Sequence, residues 1–156
     1  MTHPVTSSMS SSALRTAIET VMEKHPDLSI HGWHFHAVLR PECAGAVAGA
    51  AVDPMSFMPT DEDRRRVDTE RVRTAIFFIE KWTTPTKAIA SRPTSYWLKH
   101  CAERYGRDAG MSNYVANGEF IIAALLMGHR YRLIETGRLC TFNMYVRRRP
   151  RGGVTV

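Results

Sequence analysis

Residues 117–128 read NGEFIIAALLMG, and this stretch decides the fold. It contains eight consecutive apolar residues, Phe120–Met127. Asn117 is a good helix N-cap, Glu119 suits the first turn of a helix, and Gly128 suits the position just past a helix end. Because the segment is apolar nearly all round, it predicts a central, buried helix. Eight residues cannot cross a bilayer, which needs about 20 in a helix, so no membrane span is expected.

Three further helices are predicted around the central one. They are expected over roughly residues 12–25, residues 61–82 and a stretch from residue 95 to Gly106 or Gly110. Each follows a Ser or Thr that can cap a helix N-terminus, and each ends near Pro or Gly. The second has one apolar stripe at helical spacing, formed by Val72, Ala75, Ile76, Ile79 and Trp82.

A β-hairpin is predicted after the central helix. Residues Tyr131–Ile134 and Leu139–Val146 are strand-like, and Thr136-Gly137 supplies the turn between them. A similar alternation over Trp33–Leu39 suggests one more strand that could join the hairpin. The fold class is therefore α+β, mainly α: a helical domain with a C-terminal β-hairpin. This order of elements resembles a winged helix-turn-helix, in which the hairpin is a wing along the DNA backbone.

Four segments follow one another along the chain. Residues 1–10 are rich in Ser and Thr and are predicted to form a disordered tail. Residues 11–59 form an acidic N-terminal segment with a helix, a possible strand and a linker rich in Ala and Gly. Residues 60–146 form a basic helical core with the hairpin, and residues 147–156 are an Arg-rich tail.

Positive charge is concentrated in the C-terminal part of the chain. Residues 1–63 hold three Lys and Arg against eight Asp and Glu, a net charge of −5. Residues 64–156 hold 18 against seven, a net charge of +11. Like charges repel, so their concentration in one segment indicates an anionic partner. Nucleic acid, an anionic membrane surface and an acidic protein all fit this charge; we favour nucleic acid, with DNA preferred over RNA, take a host protein as the alternative, and expect no membrane partner.

The residues predicted to contact nucleic acid are basic side chains on the third helix, on the hairpin and in the tail. They are Lys99, Arg104, Arg107, Arg130, Arg132, Arg138, Arg147, Arg148, Arg149 and Arg151. Phosphate neutralisation supplies most non-specific affinity, so binding is expected to act mainly through the nucleic-acid backbone. The central helix offers only Asn117 and Glu119 as polar groups near its start, and it is not expected to read bases.

Aromatic residues accompany the basic ones in the same half of the chain. Any that are exposed would stack on bases, which suits single-stranded DNA or RNA. The candidates are Tyr96, Trp97, Tyr105, Tyr114, Tyr131, Phe142 and Tyr145. Aromatic residues at helical or strand spacing usually belong to the core, so the sequence favours packing over stacking for most of them.

A second alternative is a small metal-binding protein built on His34 and His36. On a strand these two residues point to the same face and could present two imidazoles to one metal ion. A third ligand would be needed, and the sequence does not decide between His25, Glu42 and Cys43.

No motif predicts an enzyme or a cofactor. The sequence lacks a nucleophile elbow, a P-loop and a dinucleotide-binding fingerprint. The three cysteines, Cys43, Cys101 and Cys140, are far apart and form no CxxC pair, which fits a reducing cytosol. The N-terminus lacks the basic and apolar regions of a signal peptide, so a cytoplasmic location is expected.

Part of the C-terminal half has a recognisable character. The stretches SYWLKHCAERYG, YVANGEFIIAALLMG and FNMYV fall within residues 91–146. This part resembles small uncharacterised proteins of bacteriophages and bacterial mobile elements. The resemblance implies a small accessory protein and carries over no site residue. Together with the charge, it predicts a non-enzymatic nucleic-acid-binding protein. The alternative is a protein-binding inhibitor or adaptor that acts on a host complex, for example a defence system.

Overall fold

The computed structural model describes residues 4–34, 58–134 and 137–148. The helices in these ranges are α1 (Ser11–Lys24), α2 (Asp61–Arg65), α3 (Thr69–Trp82), α4 (Ser95–Asp108) and α5 (Asn117–Leu126). The strands are β1 (Leu28–Ser29), β2 (Gly32–Trp33), β3 (Thr83–Pro85), β4 (Tyr131–Leu133), β5 (Cys140–Phe142) and β6 (Met144–Val146). They pair antiparallel as β1–β2, β3–β6 and β4–β5. The fold is therefore α+β and mainly helical, as predicted.

Helix α5 is the predicted central helix, and its burial is confirmed. Every residue over 117–124 is buried, and α1, α3 and α4 all pack against this helix. The Phe120 ring lies 6.2 Å from the Phe78 ring of α3 and 6.0 Å from the Phe142 ring of β5. Only glycine fits at position 118, since a Cβ there would collide with the Ser29 carbonyl of β1. No helix in the described ranges is long and apolar enough to cross a membrane.

The single helix predicted over residues 61–82 is wrong, because the structure has two helices there. The Thr60 hydroxyl caps α2, and the Asp68 carboxylate caps α3 by accepting from a backbone N–H at 3.0 Å. Between them Val67 is buried in the core. The second capping residue lets the backbone start a new helix in a new direction. The predicted apolar stripe of α3 is buried except at Trp82, which is half-buried.

The predicted C-terminal hairpin is present as β4 and β5. Its second strand is shorter than the predicted Leu139–Val146, because the chain turns at Asn143. The Asn143 side chain accepts from the Arg130 N–H at 2.6 Å and donates to the Thr86 carbonyl at 3.1 Å. Beyond this corner β6 leaves the hairpin and pairs with β3, which directly follows α3. The pairing therefore brings together two strands that are far apart in the sequence.

The N-terminal segment belongs to the same core as the basic helices. Its buried apolar residues are Leu14, Ile18, Met22, Leu28, Ile30 and Trp33. Residues 4–10, which the sequence assigned to a disordered tail, instead contact α3. The Arg73 guanidinium donates to the Ser7 and Met9 carbonyls at 2.6 Å each, and Glu80 accepts from the Ser7 N–H at 2.8 Å. These contacts join the start of the chain to α3.

The strand predicted over Trp33–Leu39 lies mostly outside the described residues. Within them, Gly32 and Trp33 form β2, which pairs with β1 in a short hairpin. The Trp33 N–H also donates to the Arg138 carbonyl at 3.3 Å. This hydrogen bond links the N-terminal hairpin to the segment that precedes β5.

Candidate nucleic-acid interface

Three of the ten predicted contact residues come together on one concave surface. Arg104 of α4, together with Arg147 and Arg148 just after β6, lines a groove of about 370 Å³. The same groove is lined by Trp97 and Tyr145. Both aromatic residues also line an adjoining groove of about 380 Å³. We call the whole the aromatic–arginine surface, defined by Trp97, Tyr145, Arg92, Arg104, Arg147 and Arg148.

Helix α4 supplies one wall of this surface. The helix begins at a capped end, where the Thr94 hydroxyl accepts from the Trp97 N–H at 3.4 Å. Trp97, Cys101 and Arg104 then follow at i, i+4 and i+7, so they share one face of the helix. Leu98 is fully buried on the core side, while the Trp97 side chain stays 49% exposed. The helix therefore presents an indole ring and a guanidinium group along one line.

Strand β6 supplies the opposite wall. Successive residues of a strand point to opposite faces, and here Met144 is buried whereas Tyr145 is 57% exposed. The Arg147 N–H donates to the Trp82 carbonyl at 2.8 Å, which extends the pairing beyond β6. The Arg147 guanidinium donates to the Lys81 carbonyl. Pairing with β3 thus fixes the backbone that carries Tyr145 and Arg147.

The charge of the aromatic–arginine surface is not offset locally. No Asp or Glu is among the described residues that line either groove. Its four arginine side chains are all exposed. In a concave surface of one sign the positive potential is focused and attracts anions. Guanidinium groups bind phosphate, and exposed aromatic rings stack on bases, so the surface has both groups that a nucleic-acid strand requires.

Lys99, a predicted contact residue on the third helix, is buried and does not lie on an exposed face of α4. The residue is only 7% exposed, and its Nζ lies 2.9 Å from Glu103 Oε1, one helical turn away. The same Nζ lies over the rings of Tyr96 and Tyr114, at 5.4 and 5.0 Å from their centroids. The segment that carries Tyr114 and Val115 covers this side of α4. Lys99 is therefore buried by its contacts with Glu103, Tyr96 and Tyr114.

The remaining predicted contact residues are dispersed. Arg107, Arg130, Arg132 and Arg138 are exposed but line neither groove of the aromatic–arginine surface. The Arg130 guanidinium donates to the Lys87 carbonyl, whereas Arg138 lines a separate cavity. Arg149 and Arg151 lie outside the described residues.

The proposed metal pair is only half described, because His36 lies outside the described residues. His34 Nε2 lies 2.6 Å from Ser29 Oγ, so this ring nitrogen already has a hydrogen-bond partner. Burial and the nearby Arg138 charge lower the pKa of His34, which favours its neutral form. Within residues 4–34, 58–134 and 137–148, no three His, Cys, Asp or Glu side chains are grouped to hold a metal ion.

Arg92 is a residue of this surface that the sequence did not reveal. It lies in the irregular connection before α4, next to Pro93, where no periodicity assigns a face. Trp97 and Tyr145 were two of seven aromatic candidates, and the sequence alone did not separate them from core residues. In the described ranges the large exposed apolar residues are Tyr96, Trp97, Tyr114 and Tyr145. The one signal in the sequence that could have identified Tyr145 as a contact residue is its position beside basic residues near the end of the chain.

Comparison of the chain with protein-family models, with curated proteins and with solved structures finds no match. The resemblance of residues 91–146 to proteins of phages and mobile elements accordingly stays a prediction. The function has to be inferred from the geometry and charge of the surface itself.

Proposed function

We propose that the chain is a small non-enzymatic nucleic-acid-binding protein that holds a single strand on the aromatic–arginine surface. One observation carries the proposal: Trp97 and Tyr145, each about half exposed, share two grooves with four exposed arginines. The arginines would bind phosphates while a base stacks on one or both rings. Bases in a duplex are already stacked on each other, so exposed rings favour a single strand. DNA is the first ligand to test.

The winged-helix mode receives less support than the single-strand mode. It needs a recognition helix with an exposed polar N-terminal end, and α5 is buried over its first eight residues. In that mode the β4–β5 hairpin would lie along the duplex backbone, with Arg132 exposed on β4. The proposed setting for either mode is the cytoplasm, in a phage or mobile-element context. That setting rests on the resemblance of residues 91–146.

The second candidate function is a protein-binding inhibitor or adaptor that acts on an acidic host protein. Trp, Tyr and Arg are the residues enriched at the energetic centres of protein–protein interfaces. The groove beside Trp97 also has an apolar lining that includes Pro93, Met144 and Val146. Such a partner would bury the rings in a pocket of its own instead of stacking bases on them.

The two candidates are separated by fluorescence anisotropy with a labelled, mixed-sequence single-stranded DNA that carries a 5′-hydroxyl end. We expect Arg104→Ala and Arg148→Ala each to weaken binding severalfold. Each should also reduce the slope of log affinity against log salt by about 0.7, the value for one phosphate contact on a single strand. Arg107→Ala is the matched control, since Arg107 lies on the same helix and lines neither groove.

Two outcomes would count against nucleic-acid binding on this surface. Absence of binding at low salt would exclude the function and leave the protein-binding candidate. Binding that is unchanged in Arg104→Ala and Arg148→Ala, but reduced in Arg107→Ala, would place the nucleic acid elsewhere on the chain.

A further inference from the structure

A second cavity lies beside α4, on the side of the helix that carries Tyr96 and Lys99. It has a volume of about 530 Å³, within the usual range for small-molecule sites. Parts of the chain far apart in sequence converge on it, including the turn between β1 and β2, the end of α2 and the start of α5. We call it the Asn117 cavity, and the lining residues that matter here are Arg66, Tyr96, Lys99, Tyr114, Asn117 and Arg138.

Asn117 gives this cavity an unsatisfied polar atom. The residue is only 8% exposed, and its Nδ2 donates to the His31 and Arg138 carbonyls at 3.0 Å each. These two bonds fix the orientation of the amide, so Oδ1 is the remaining atom. Oδ1 is buried and has no hydrogen-bond partner among the described residues. A buried acceptor without a donor costs about 1–3 kcal/mol, so a ligand that supplies an N–H or O–H would be favoured.

Cationic groups line the same cavity as Asn117. Arg138 is exposed and makes no ion pair with the described residues, and Arg66 reaches only to 3.8 Å from Asp63. Lys99 also lines the cavity, although Glu103 offsets its charge. Asn117 is the first residue of α5, but the N–H groups of Ala116 and Gly118 at this helix end already donate to Glu119 Oε1 and to the Ile30 carbonyl. Arg138 and Arg66 are therefore the groups that favour an anion in this cavity.

Two aromatic rings border the same cavity. Tyr96 is 51% exposed and Tyr114 is 48% exposed, and both line it. Lys99 Nζ lies within 5.4 Å of both ring centroids, so the two rings are close to each other and to this ammonium group, and the Arg71 guanidinium also lies 4.9 Å from the Tyr114 centroid. A flat heterocycle could stack on either ring while its anionic group lies beside the arginines.

We propose that the Asn117 cavity binds a mononucleotide, that is, a phosphate monoester that carries a heterocyclic base. The phosphate is held by Arg138 and Arg66 at the start of α5. The base packs on Tyr96 or Tyr114, and an N–H or O–H of the base or sugar donates to Asn117 Oδ1. This site is separate from the aromatic–arginine surface, so the inference goes beyond the proposed function. The same chemistry is found in a free nucleotide and at the 5′-phosphorylated end of a strand.

Isothermal titration calorimetry on the full chain tests this site with three probes: adenosine 5′-monophosphate, adenosine and inorganic phosphate. We expect the nucleotide to bind at one site, and adenosine and phosphate alone to bind at least about tenfold more weakly. Arg138→Ala should lower the affinity for the nucleotide about tenfold. The fold should be retained, since only the Arg138 backbone carbonyl makes the contacts described above. Arg107→Ala is the matched control and should change nothing, since Arg107 is exposed and lines neither this cavity nor the aromatic–arginine surface.

The remaining outcomes decide the source of the phosphate or overturn the site. A 5′-phosphorylated oligonucleotide could bind tenfold more tightly than the same oligonucleotide with a 5′-hydroxyl end. If Arg138→Ala abolishes this difference, the site is supported and is assigned to strand ends. No binding of the nucleotide and no effect of the 5′-phosphate would overturn it. Equal binding of nucleotide and adenosine would also overturn it. A Trp97→Ala chain that loses oligonucleotide binding but keeps the nucleotide would show that the two sites fail independently.

Discussion

At the scale of single residues, Tyr96 and Trp97 are neighbours on α4 with different surroundings. Consecutive residues of a helix are turned by about 100° around its axis, so the two rings leave the helix in different directions. Trp97 lines the aromatic–arginine surface, whereas Tyr96 lines the Asn117 cavity. Their exposed fractions are almost equal, at 49% and 51%. The pair therefore offers a matched test of where a base stacks.

Trp97→Ala should weaken binding of a single-stranded, 5′-hydroxyl oligonucleotide by roughly tenfold, because stacking of one base contributes about 1–3 kcal/mol. Tyr96→Ala should leave that affinity nearly unchanged. Fluorescence anisotropy measures both, and circular dichroism checks that each variant is folded. Equal losses in the two variants would contradict the assignment of stacking to Trp97.

Glu103 is the residue whose protonation matters most for the packing around Lys99. Its carboxylate accepts from Lys99 Nζ at 2.9 Å, from His100 Nδ1 at 2.8 Å and from the Val115 N–H at 3.1 Å. Burial alone would raise the pKa of Glu103, but the hydrogen bonds from Lys99, Val115 and His100 outweigh it. The pKa therefore lies below its ordinary value of 4.5. A carboxyl group with a lowered pKa in the folded state stabilises the fold when it is ionised.

Glu103→Gln should lower the free energy of unfolding by about 1–3 kcal/mol at neutral pH. The stabilisation from the wild-type carboxylate is complete above its unfolded pKa and is lost as pH falls through the lower, folded pKa. The difference between wild type and Glu103→Gln should consequently shrink between about pH 5 and pH 3. Urea unfolding across this range measures it, with the exposed Glu19→Gln as control. A difference that is independent of pH would be inconsistent with an ionised Glu103.

At the scale of elements, Arg64 holds the end of α1. Its guanidinium donates to the Met22 carbonyl at 2.6 Å and to the Leu28 carbonyl at 2.7 Å. It also donates to the His25 and Pro26 carbonyls at 3.0 and 2.9 Å. The last carbonyls of a helix have no partner within the helix, so one side chain satisfies those of Met22 and of the C-cap His25, and its bonds to Pro26 and Leu28 connect the following segment to α2.

Arg64→Ala should lower the free energy of unfolding by about 2–3 kcal/mol, because carbonyls at the end of α1 and in the segment that follows lose their charged donor. Arg65→Ala, the next residue, is exposed and should change it by less than about 0.5 kcal/mol. Urea denaturation compares the two. If both substitutions cost the same, Arg64 would not be the cap that the distances indicate.

Local sequence signals predicted the elements, and tertiary contacts account for the differences. Caps and apolar periodicity were enough for α1, α4 and the β4–β5 hairpin, and the apolar run was enough for α5, whose N-cap is Ala116 and not the predicted Asn117. They failed at Asp68, where a second cap competes with continuation of the helix. They also failed at β6, whose partner β3 lies some 60 residues earlier. Lys99 was misplaced because its burial depends on Glu103 and on the segment around Tyr114, which no local pattern reveals.

At the scale of the whole molecule, the acidic and basic parts of the sequence do not form two separate bodies. Helix α1 packs on α3 and α5, and its apolar residues belong to the common core. The Arg64 and Arg73 side chains donate most of their hydrogen bonds to backbone carbonyls of the N-terminal segment. Part of the +11 charge of residues 64–156 is therefore structural. The number of arginines free to bind a strand is smaller than the composition suggests.

The number of arginines that are free to bind phosphate predicts the salt dependence of binding. If the four arginines of the aromatic–arginine surface each neutralise one phosphate, log affinity should fall against log salt with a slope of about −3. Anisotropy titrations at several salt concentrations measure the slope. A slope steeper than about −6 would mean that much more of the basic half contacts the strand. A slope near zero would exclude phosphate contacts as a source of the binding affinity.

The candidate site was only partly predictable from the sequence. The concentration of basic residues placed it in the C-terminal half, and Arg104, Arg147 and Arg148 were among the predicted contact residues. The sequence does not show that α4 and β6 line the same grooves, because the position of β6 depends on its long-range pairing with β3. Without it, Trp97 and Tyr145 could not be recognised as a pair.

Contact between bases and the two exposed rings is tested most directly by photochemical crosslinking. A single-stranded DNA that carries 5-bromouracil is irradiated with the full chain, and mass spectrometry of the digest identifies the crosslinked residues. We predict crosslinks at Trp97 or Tyr145 that disappear as salt is raised. Crosslinks that form elsewhere, with none at either residue, would contradict the proposed single-strand interface.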